Sequence, residues 1–362
     1  MNAGSIYGTS RGADINMDDL VAGSVTFQNS GTILSPETAV VIRAQQAGAL
    51  VSFGPLENSG VIQGGVIALS IQTPHAFTFE NSGSLLGDVL FNNSGDATLD
   101  NAEGLIVGDI IFGSGTDRYL GRDGEIMGRV TGGLGNDRLE MGQNADFANG
   151  GSDNDTVYGN SGDDTLLGDS GDDVLRGDAG HDSLDGGHDN DVLRGGAGDD
   201  TLLGDQGNDV LRGDAGMDSI DGGLDNDMLM GGHENDTLLG GAGNDTIHGN
   251  GGDDLLQGGG RADLLLGGKG DDTMSGGGSA DTIVIRRVGN GDDEVTDFQN
   301  GADRVDISAL GVQDFAELNT TFGALSQDTD GVVIDLAAAG GSGSIRLVGV
   351  TLADMDASDF IF

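Results

Sequence analysis

The 362-residue sequence contains no cysteine and no tryptophan, only three prolines, and aromatic residues at 4 %. Without cysteine it has neither disulfides nor thiolate metal sites. It has no run of about eighteen apolar residues, so a membrane-spanning helix is excluded. The opening stretch, MNAGSIYGTSRGADINMDDL, has neither a basic start nor an apolar segment and does not read as a secretory signal peptide. Basic residues are also scarce: 15 Lys and Arg stand against 61 Asp and Glu, a formal charge of −46. Such a chain repels nucleic acid and anionic membranes and attracts cations. That charge opposes compaction until something neutralises it, and a divalent metal is the economical candidate.

What the chain has in excess is glycine, 70 residues of it, without a proline-rich collagen pattern. From Gly132 to Val284 the sequence reads in nines without insertion or deletion, giving seventeen nonapeptides (GGLGNDRLE, MGQNADFAN, GGSDNDTVY and onward to GGGSADTIV). Position six is always Asp and position eight always apolar, with Ala148 the smallest. Position one is Gly except at Met141. Position four is Gly in ten repeats and otherwise Asn144, Asp153, Asp189, Asp225, Glu234, Arg261 or Ser279. A longer period also shows: GDSGDDVLR at 168 returns as GDQGNDVLR at 204.

The residue types predict the physics of one unit. Six residues rich in Gly, Asn and Asp form a turn, since Gly reaches positive φ without steric cost. Three residues such as TLL then form a short strand whose middle side chain points inward. A single unit cannot bury its Leu, whereas a stack of units can. The turns bring carbonyls and carboxylates together without hydrogen-bond partners. Ca²⁺ suits that environment because it takes six to eight oxygens in flexible geometry, whereas Mg²⁺ demands a stricter octahedron.

These residues resemble the RTX, or hemolysin-type calcium-binding, repeat G-G-x-G-x-D-x-U-x. The resemblance implies an all-β solenoid whose centre is a parallel β-roll, two nonapeptides per coil, with Ca²⁺ between stacked turns. It implies that turn carbonyls and the Asp at position six are the ligands: Asp137, Asp155, Asp164, Asp173, Asp182, Asp191, Asp200, Asp209, Asp218, Asp227, Asp236, Asp245, Asp254, Asp263 and Asp272. Departures fall at MGQNADFAN, at Arg261 and at the last repeat, GGGSADTIV. One ion between each stacked pair gives at most about 15 Ca²⁺. Without metal the stacked aspartates repel and the glycine turns gain entropy, so folding of the array is expected to be coupled to Ca²⁺.

The flanks read differently. Residues 26–131 repeat a looser phrase, NSGTI at 29, NSGVIQGGVIAL at 58, NSGSLLGDVLF at 81, NAEGLIVGDIIF at 101 and RDGEIMGRV at 122, which suggests a β-solenoid of wider coils. Residues 1–25 read as a lead or cap. Residues 285–362 read as a β-rich cap, which a repeat array needs over its last coil. The phrase from Asp297 to Asp306 and the final Asp359-Phe360-Ile361-Phe362 resemble the C-terminal region of serralysin-type RTX proteins. That resemblance implies an uncleaved signal for a type I ABC exporter and a secreted, extracellular protein.

Several motifs have bland readings. Gly168-Asp169-Ser170-Gly171 looks like a serine-protease phrase but lies inside one nonapeptide, and Gly8-Thr9-Ser10-Arg11-Gly12 lacks the strand and helix of a nucleophile elbow. His233-Glu234 begins like a zinc-protease helix that glycine-rich sequence cannot form. Arg-Gly-Asp at 176–178 and 212–214 follows from the repeat phase. Arg176, Arg194 and Arg212 fall in one position-nine column; they either neutralise nearby Asp or form a candidate anion site for an acidic polysaccharide. The Thr and Ser of position seven on the opposite face read as a solvated sheet. With no catalytic constellation in residues 1–131, the sequence points to a non-enzymatic matrix, surface or adhesion protein. The alternative is a protein that binds or acts on acidic glycans.

Overall fold

A computed structural model describes residues 5–7, 11–16, 22–43, 50–92, 95–286, 291–321, 323–338 and 342–362. The chain divides into two compact units, Met1–Gly186 and Gly187–Phe362. Each is a parallel β-solenoid. Among the described residues, helix is confined to the short segments Ser308–Leu310, Glu317–Thr321 and Ala357–Asp359.

In the first unit one sheet stacks Leu50–Asn58, Phe77–Asn81, Ala97–Asp100, Arg118–Leu120, Arg138–Glu140, Thr156–Ser161 and Val174–Ala179, every pair parallel. The register shows the coil contracting. Asn29 faces Asn58, Asn58 faces Asn81, Thr78 faces Thr98, Arg118 faces Arg138 and Arg138 faces Thr156, steps of 29, 23, 20, 20 and 18 residues. The wide coils hold aromatic rings: Phe27 stacks on Phe79 at 6.4 Å, Phe77 meets Phe91 at 5.3 Å and Phe91 meets Phe112 at 5.0 Å. Upstream, the backbone of Ser5–Tyr7 and Arg11–Asn16 pairs in parallel with Thr32–Leu34 and Thr38–Arg43. In the narrow coils the core is one side chain per nonapeptide, as position eight predicts: Leu139, Val157, Leu166 and Leu175 are fully buried.

The second unit begins as the same narrow solenoid, with Val192 facing Val210 and so on at a constant step of 18. After Val284 the step lengthens to 22 between Thr282 and Arg304. Asp292–Val295 is then followed in its sheet by Ser344–Val348, and the antiparallel strands Gly331–Asp335 and Leu325–Gln327 continue from there. Phe298, Ile307, Leu318, Ile334, Leu347 and Phe360 fill this end as a conventional core.

The strands correct one expectation. They are six residues long, not three: Thr165–Ser170 and its equivalents include positions seven to nine and the first three of the next repeat. Parallel neighbours pair backbone groups whatever the side chain, so the ladder continues through the glycines. Position two turns the corner inside the paired stretch by adopting left-handed φ, even where it is Asp169, Asp178, Asp205, Asp214, Asn160 or Asn250. The turn proper is positions four to six. The irregular position-four residues Asp153, Asp189, Asp225, Glu234, Arg261 and Ser279 all hold positive φ, between 73° and 106°.

Candidate metal centre

Every position-six Asp is buried. The fifteen candidate ligands are 1–3 % exposed, although each lies in a turn. Burial is possible because one carboxylate oxygen has a fixed donor. Within each unit the Oδ1 of one Asp accepts the backbone N–H of the Asp one coil earlier: Asp137 to Asp155 at 2.7 Å and Asp155 to Asp173 at 2.6 Å. The opposite edge repeats it, Asp146 to Asp164 and Asp164 to Asp182 both at 2.8 Å. In the second unit one row runs from Asp191 through Asp209, Asp227, Asp245 and Asp263 to Asp281, the other from Asp200 through Asp218, Asp236 and Asp254 to Asp272.

The second oxygen has no such donor. Oδ2 of Asp137, Asp155, Asp164, Asp209, Asp218, Asp227, Asp236, Asp245, Asp254, Asp263, Asp272 and Asp281 is buried without a hydrogen-bond partner. At Asp137, Asp164, Asp209, Asp227, Asp245, Asp254 and Asp263 it converges with a carbonyl of the next coil. A Cβ added to Gly240 would lie 2.6 Å from Asp245 Oδ2 and 2.7 Å from the Gly258 carbonyl; one added to Gly204 would lie 2.6 Å from Asp209 Oδ2 and 2.5 Å from the Gly222 carbonyl. Position one is therefore glycine because two oxygens from successive coils occupy the space of its side chain. Two acceptors facing each other without a proton between them are a cradle for a hard cation. Among the described residues no three His, Asp or Glu side chains gather at one point. A metal here is thus held by single carboxylates with backbone carbonyls, a donor set that fits Ca²⁺.

Burial raises these carboxyls above the usual 3.8, to about 6 for Asp209, Asp218 and Asp254, about 7 for Asp137, Asp164, Asp227, Asp236, Asp263 and Asp272, and about 8 for Asp155. The bonded N–H works against the shift, and neighbouring carboxylates add to it.

The ladder also runs past the seventeen repeats. Ahead of them Asp117 gives its N–H to Asp137 and accepts that of Ala97, both at 2.6 Å; behind them Asp272 donates to Asp293 at 3.1 Å and Asp281 to Asp303 at 3.0 Å. Each sits in a degenerate G-x-D-x-apolar phrase (Gly115 to Tyr119, Gly291 to Val295, Gly301 to Val305), a shorter signal than the full nonapeptide. Asp281, left outside the candidate set, has the same stranded oxygen as the others. Asp146 does not: its Oδ2 accepts the Gly142 N–H at 3.1 Å, and Gly142 and Asn144 lack the left-handed φ of their equivalents.

The nonapeptides that build this geometry are also the part of the chain that matches a known family. Seven overlapping matches to the RTX calcium-binding nonapeptide repeat cover residues 131–284. That stretch is an RTX calcium-binding array. Two solved structures are similar to the chain. One is a hyperactive, Ca²⁺-dependent, β-helical antifreeze protein from an Antarctic bacterium, at TM-score 0.41 and 19 % identity, covering 81 % of this chain and 86 % of that one. The other is the AlgE6R3 subunit of the Azotobacter vinelandii mannuronan C5-epimerase, at TM-score 0.23 and 30 % identity, covering 38 % and 78 %. No curated protein matches the sequence.

The remaining candidates find ordinary places. Arg194 and Arg212 face each other across adjacent strands of the RTX array and both bind Asp214. Arg176 instead lies over the Tyr158 ring, 5.6 Å from its centroid. Ser170 Oγ donates to the Gly151 carbonyl at 3.4 Å, Glu234 sits in a turn at φ 74°, and residues 8–10 of the Gly8–Gly12 motif lie outside the described residues. Asp297 of the C-terminal phrase caps the last coil, its two oxygens accepting the N–H groups of Gly276 and Gly277 at 3.1 and 2.9 Å.

Two tests follow from the cradle. Gly240→Ala places a methyl against both oxygens and is expected to destabilise the calcium-loaded array by about 1–3 kcal/mol in urea unfolding. Gly278→Ala, with nothing within 4 Å, is expected to stay within about 0.5 kcal/mol of the parent. The second test concerns protons. Carboxyls raised in the folded state bind protons that the unfolded chain releases. Metal-free stability is then fully present below about pH 4 and is lost as pH rises through about 6 to 8. Circular dichroism in chelator should show more β-structure at pH 5 than at pH 8.5; equal spectra would contradict the assignment.

Proposed function

We propose that this protein is a secreted, extracellular, non-enzymatic RTX protein with a matrix, surface or adhesion role, whose array folds on meeting Ca²⁺ outside the cell. The observation that carries the reading is the row of buried Oδ2 atoms without a hydrogen-bond partner, several of which, those of Asp209 and Asp245 among them, share the space beside a glycine with a carbonyl of the next coil. At low calcium the array cannot bury these oxygens as carboxylates, so the chain stays open; abundant external Ca²⁺ closes it. Support for a non-enzymatic role comes from the local uses of Ser170 and Glu234. Calorimetric titration at pH 7.5 is expected to show several Ca²⁺ bound per chain together with gain of β-structure; binding without a change in circular dichroism would separate metal from folding.

Export through a type I ABC exporter rests on the family-like C-terminal phrases. Residues 285–362 fused to an unrelated passenger should send it to the medium in a host carrying such an exporter. Retention of that passenger would remove the support.

A second reading, binding of an acidic glycan, is favoured by one surface. Arg138 lies over the Tyr158 ring at 4.5 Å and donates to its hydroxyl at 3.2 Å, while Arg176 lies over the same ring. Arg138 is already paired with Glu140 at 2.6 Å, so Arg176, seated on the ring, is the guanidinium that suits a sugar bearing a carboxylate. On this reading Arg176→Ala weakens retention on a polyuronate column and Arg194→Ala, whose parent guanidinium is already engaged by Asp214, does not. Equal retention of all three proteins would dismiss it.

A further inference from the structure

The wide coils close one edge of the solenoid with different chemistry. Asn29 donates through Nδ2 to Asn58 Oδ1 at 2.8 Å, Asn58 to Asn81 at 2.8 Å and Asn81 to Asn101 at 2.7 Å. All four are at most 2 % exposed. The second Nδ2 proton of Asn58 and of Asn81 reaches the carbonyl two residues on, at 3.3 Å in both cases. Each amide therefore finds both donor and acceptor partners inside the protein, and no charge is buried.

The register identifies the corner. Asp100 pairs with Leu120 and Leu120 with Glu140, so Asn101 precedes Gly121 and Met141 in the column that becomes position one of the nonapeptides. The position-six column reads Phe77, Ala97, then Asp117. On that edge, opposite the asparagines, corner filling passes from Phe77 and Ala97 to an aspartate, whereas the asparagine column continues through Gly121, Met141 and Gly159 along the edge of Asp146 and Asp164. The aspartate row of the opposite edge starts, with the Ala97 N–H on Asp117 Oδ1, one coil on from the last asparagine of the ladder.

We infer that residues 77–92 and 95–112 keep their fold without calcium and set the register on which the calcium-dependent array assembles. The inference rests on the array's need for calcium argued above. Its physical basis is twofold. A neutral, fully bonded ladder under a stack of phenylalanines leaves no oxygen for a cation to satisfy. The array, for its part, is made of near-identical strands at a constant step, so a slip by one coil leaves each Leu in a Leu place and each Asp in an Asp place; its own side chains specify register weakly. A neighbouring segment with unequal steps and unique rings removes that degeneracy.

Hydrogen exchange of the full-length protein tests this. In EGTA at pH 8, amides of 77–92 and 95–112 are expected to exchange at least about tenfold more slowly than those of 204–260, and calcium should slow the second segment to match. If neither segment is protected in EGTA, the inference falls and the calcium reading stands. If both are protected, the calcium requirement of the array falls and takes the templating claim with it. Asn81→Ala, compared with the exposed-site control Thr78→Ala, attributes the protection to the ladder. The first should speed exchange of 77–92 and 95–112 in EGTA about tenfold and raise the calcium midpoint of the array; the second should leave both unchanged. An Asn81→Ala protein indistinguishable from its control would overturn the assignment.

Discussion

Each coil of the array buries a carboxylate whose two oxygens meet different fates. One accepts a backbone N–H from the preceding coil at 2.6–2.9 Å and so locks successive coils together. The other is buried without a donor, at Asp209 and Asp245 beside a carbonyl of the next coil. An ionised, half-satisfied carboxylate taken from water costs several kcal/mol even after relaxation. The single Leu or Ile that a nonapeptide buries contributes about 1.5–3 kcal/mol. The two are of the same order, so hydrophobic burial alone does not carry the stack at neutral pH. A counter-ion between the two oxygens, or a proton, decides the balance. Glycine at position one, burial of the aspartates and the binding of calcium are then three aspects of one contact.

The contraction of the coil follows the same logic. A step of 23 or 29 residues gives a cross-section wide enough for Phe27, Phe79 and Phe91, and the burial of those rings stabilises the coil without a metal. At a step of 18 the section narrows to one inward side chain per strand, with glycine at the next inward place. That solenoid has exchanged hydrophobic volume for a coordination site. The asparagine and aspartate ladders are two solutions to one packing problem, the first self-sufficient and the second conditional on its environment.

Much of this was legible in the sequence. The nonapeptide period, the inward position eight and the importance of position six all read directly from residue type, because strict repetition removes the usual ambiguity about which residues neighbour which. Strand length was not legible: glycine at positions one and two looks like turn, yet the parallel ladder continues through it as backbone pairing does not depend on side chains. The asparagine ladder was hidden for a related reason. NSG at 29, 58 and 81 advertises a turn, and the unequal spacing conceals that Asn29, Asn58 and Asn81 meet in one column. Asp117, Asp293 and Asp303 escaped because only G-x-D-x-apolar survives around them. The arginine column shows the limit of spacing arguments: period aligns Arg194 with Arg212, but Asp214, also placed by the period, takes both.

The C-terminal end shows what stopping such a stack requires. An aspartate ladder has no natural last rung, since each carboxylate receives an N–H from the coil before and needs a partner for its other oxygen. At Asp303 the chain supplies that partner itself: Oδ1 takes the Asp281 N–H at 3.0 Å and Oδ2 takes the Gln299 N–H at 2.7 Å, a donor four residues away. Asp297 covers the exposed N–H groups of Gly276 and Gly277, and Asp359 accepts the Gly301 N–H at 3.1 Å, bringing Phe360 and Ile361 alongside Val305 and Asp306. Where an array coil leaves an oxygen for calcium, the cap fills the same valence with backbone N–H. The phrases that resemble an export signal therefore have a folded-state purpose of their own. The segment that resembles such a signal is the place where the array's unsatisfied chemistry ends.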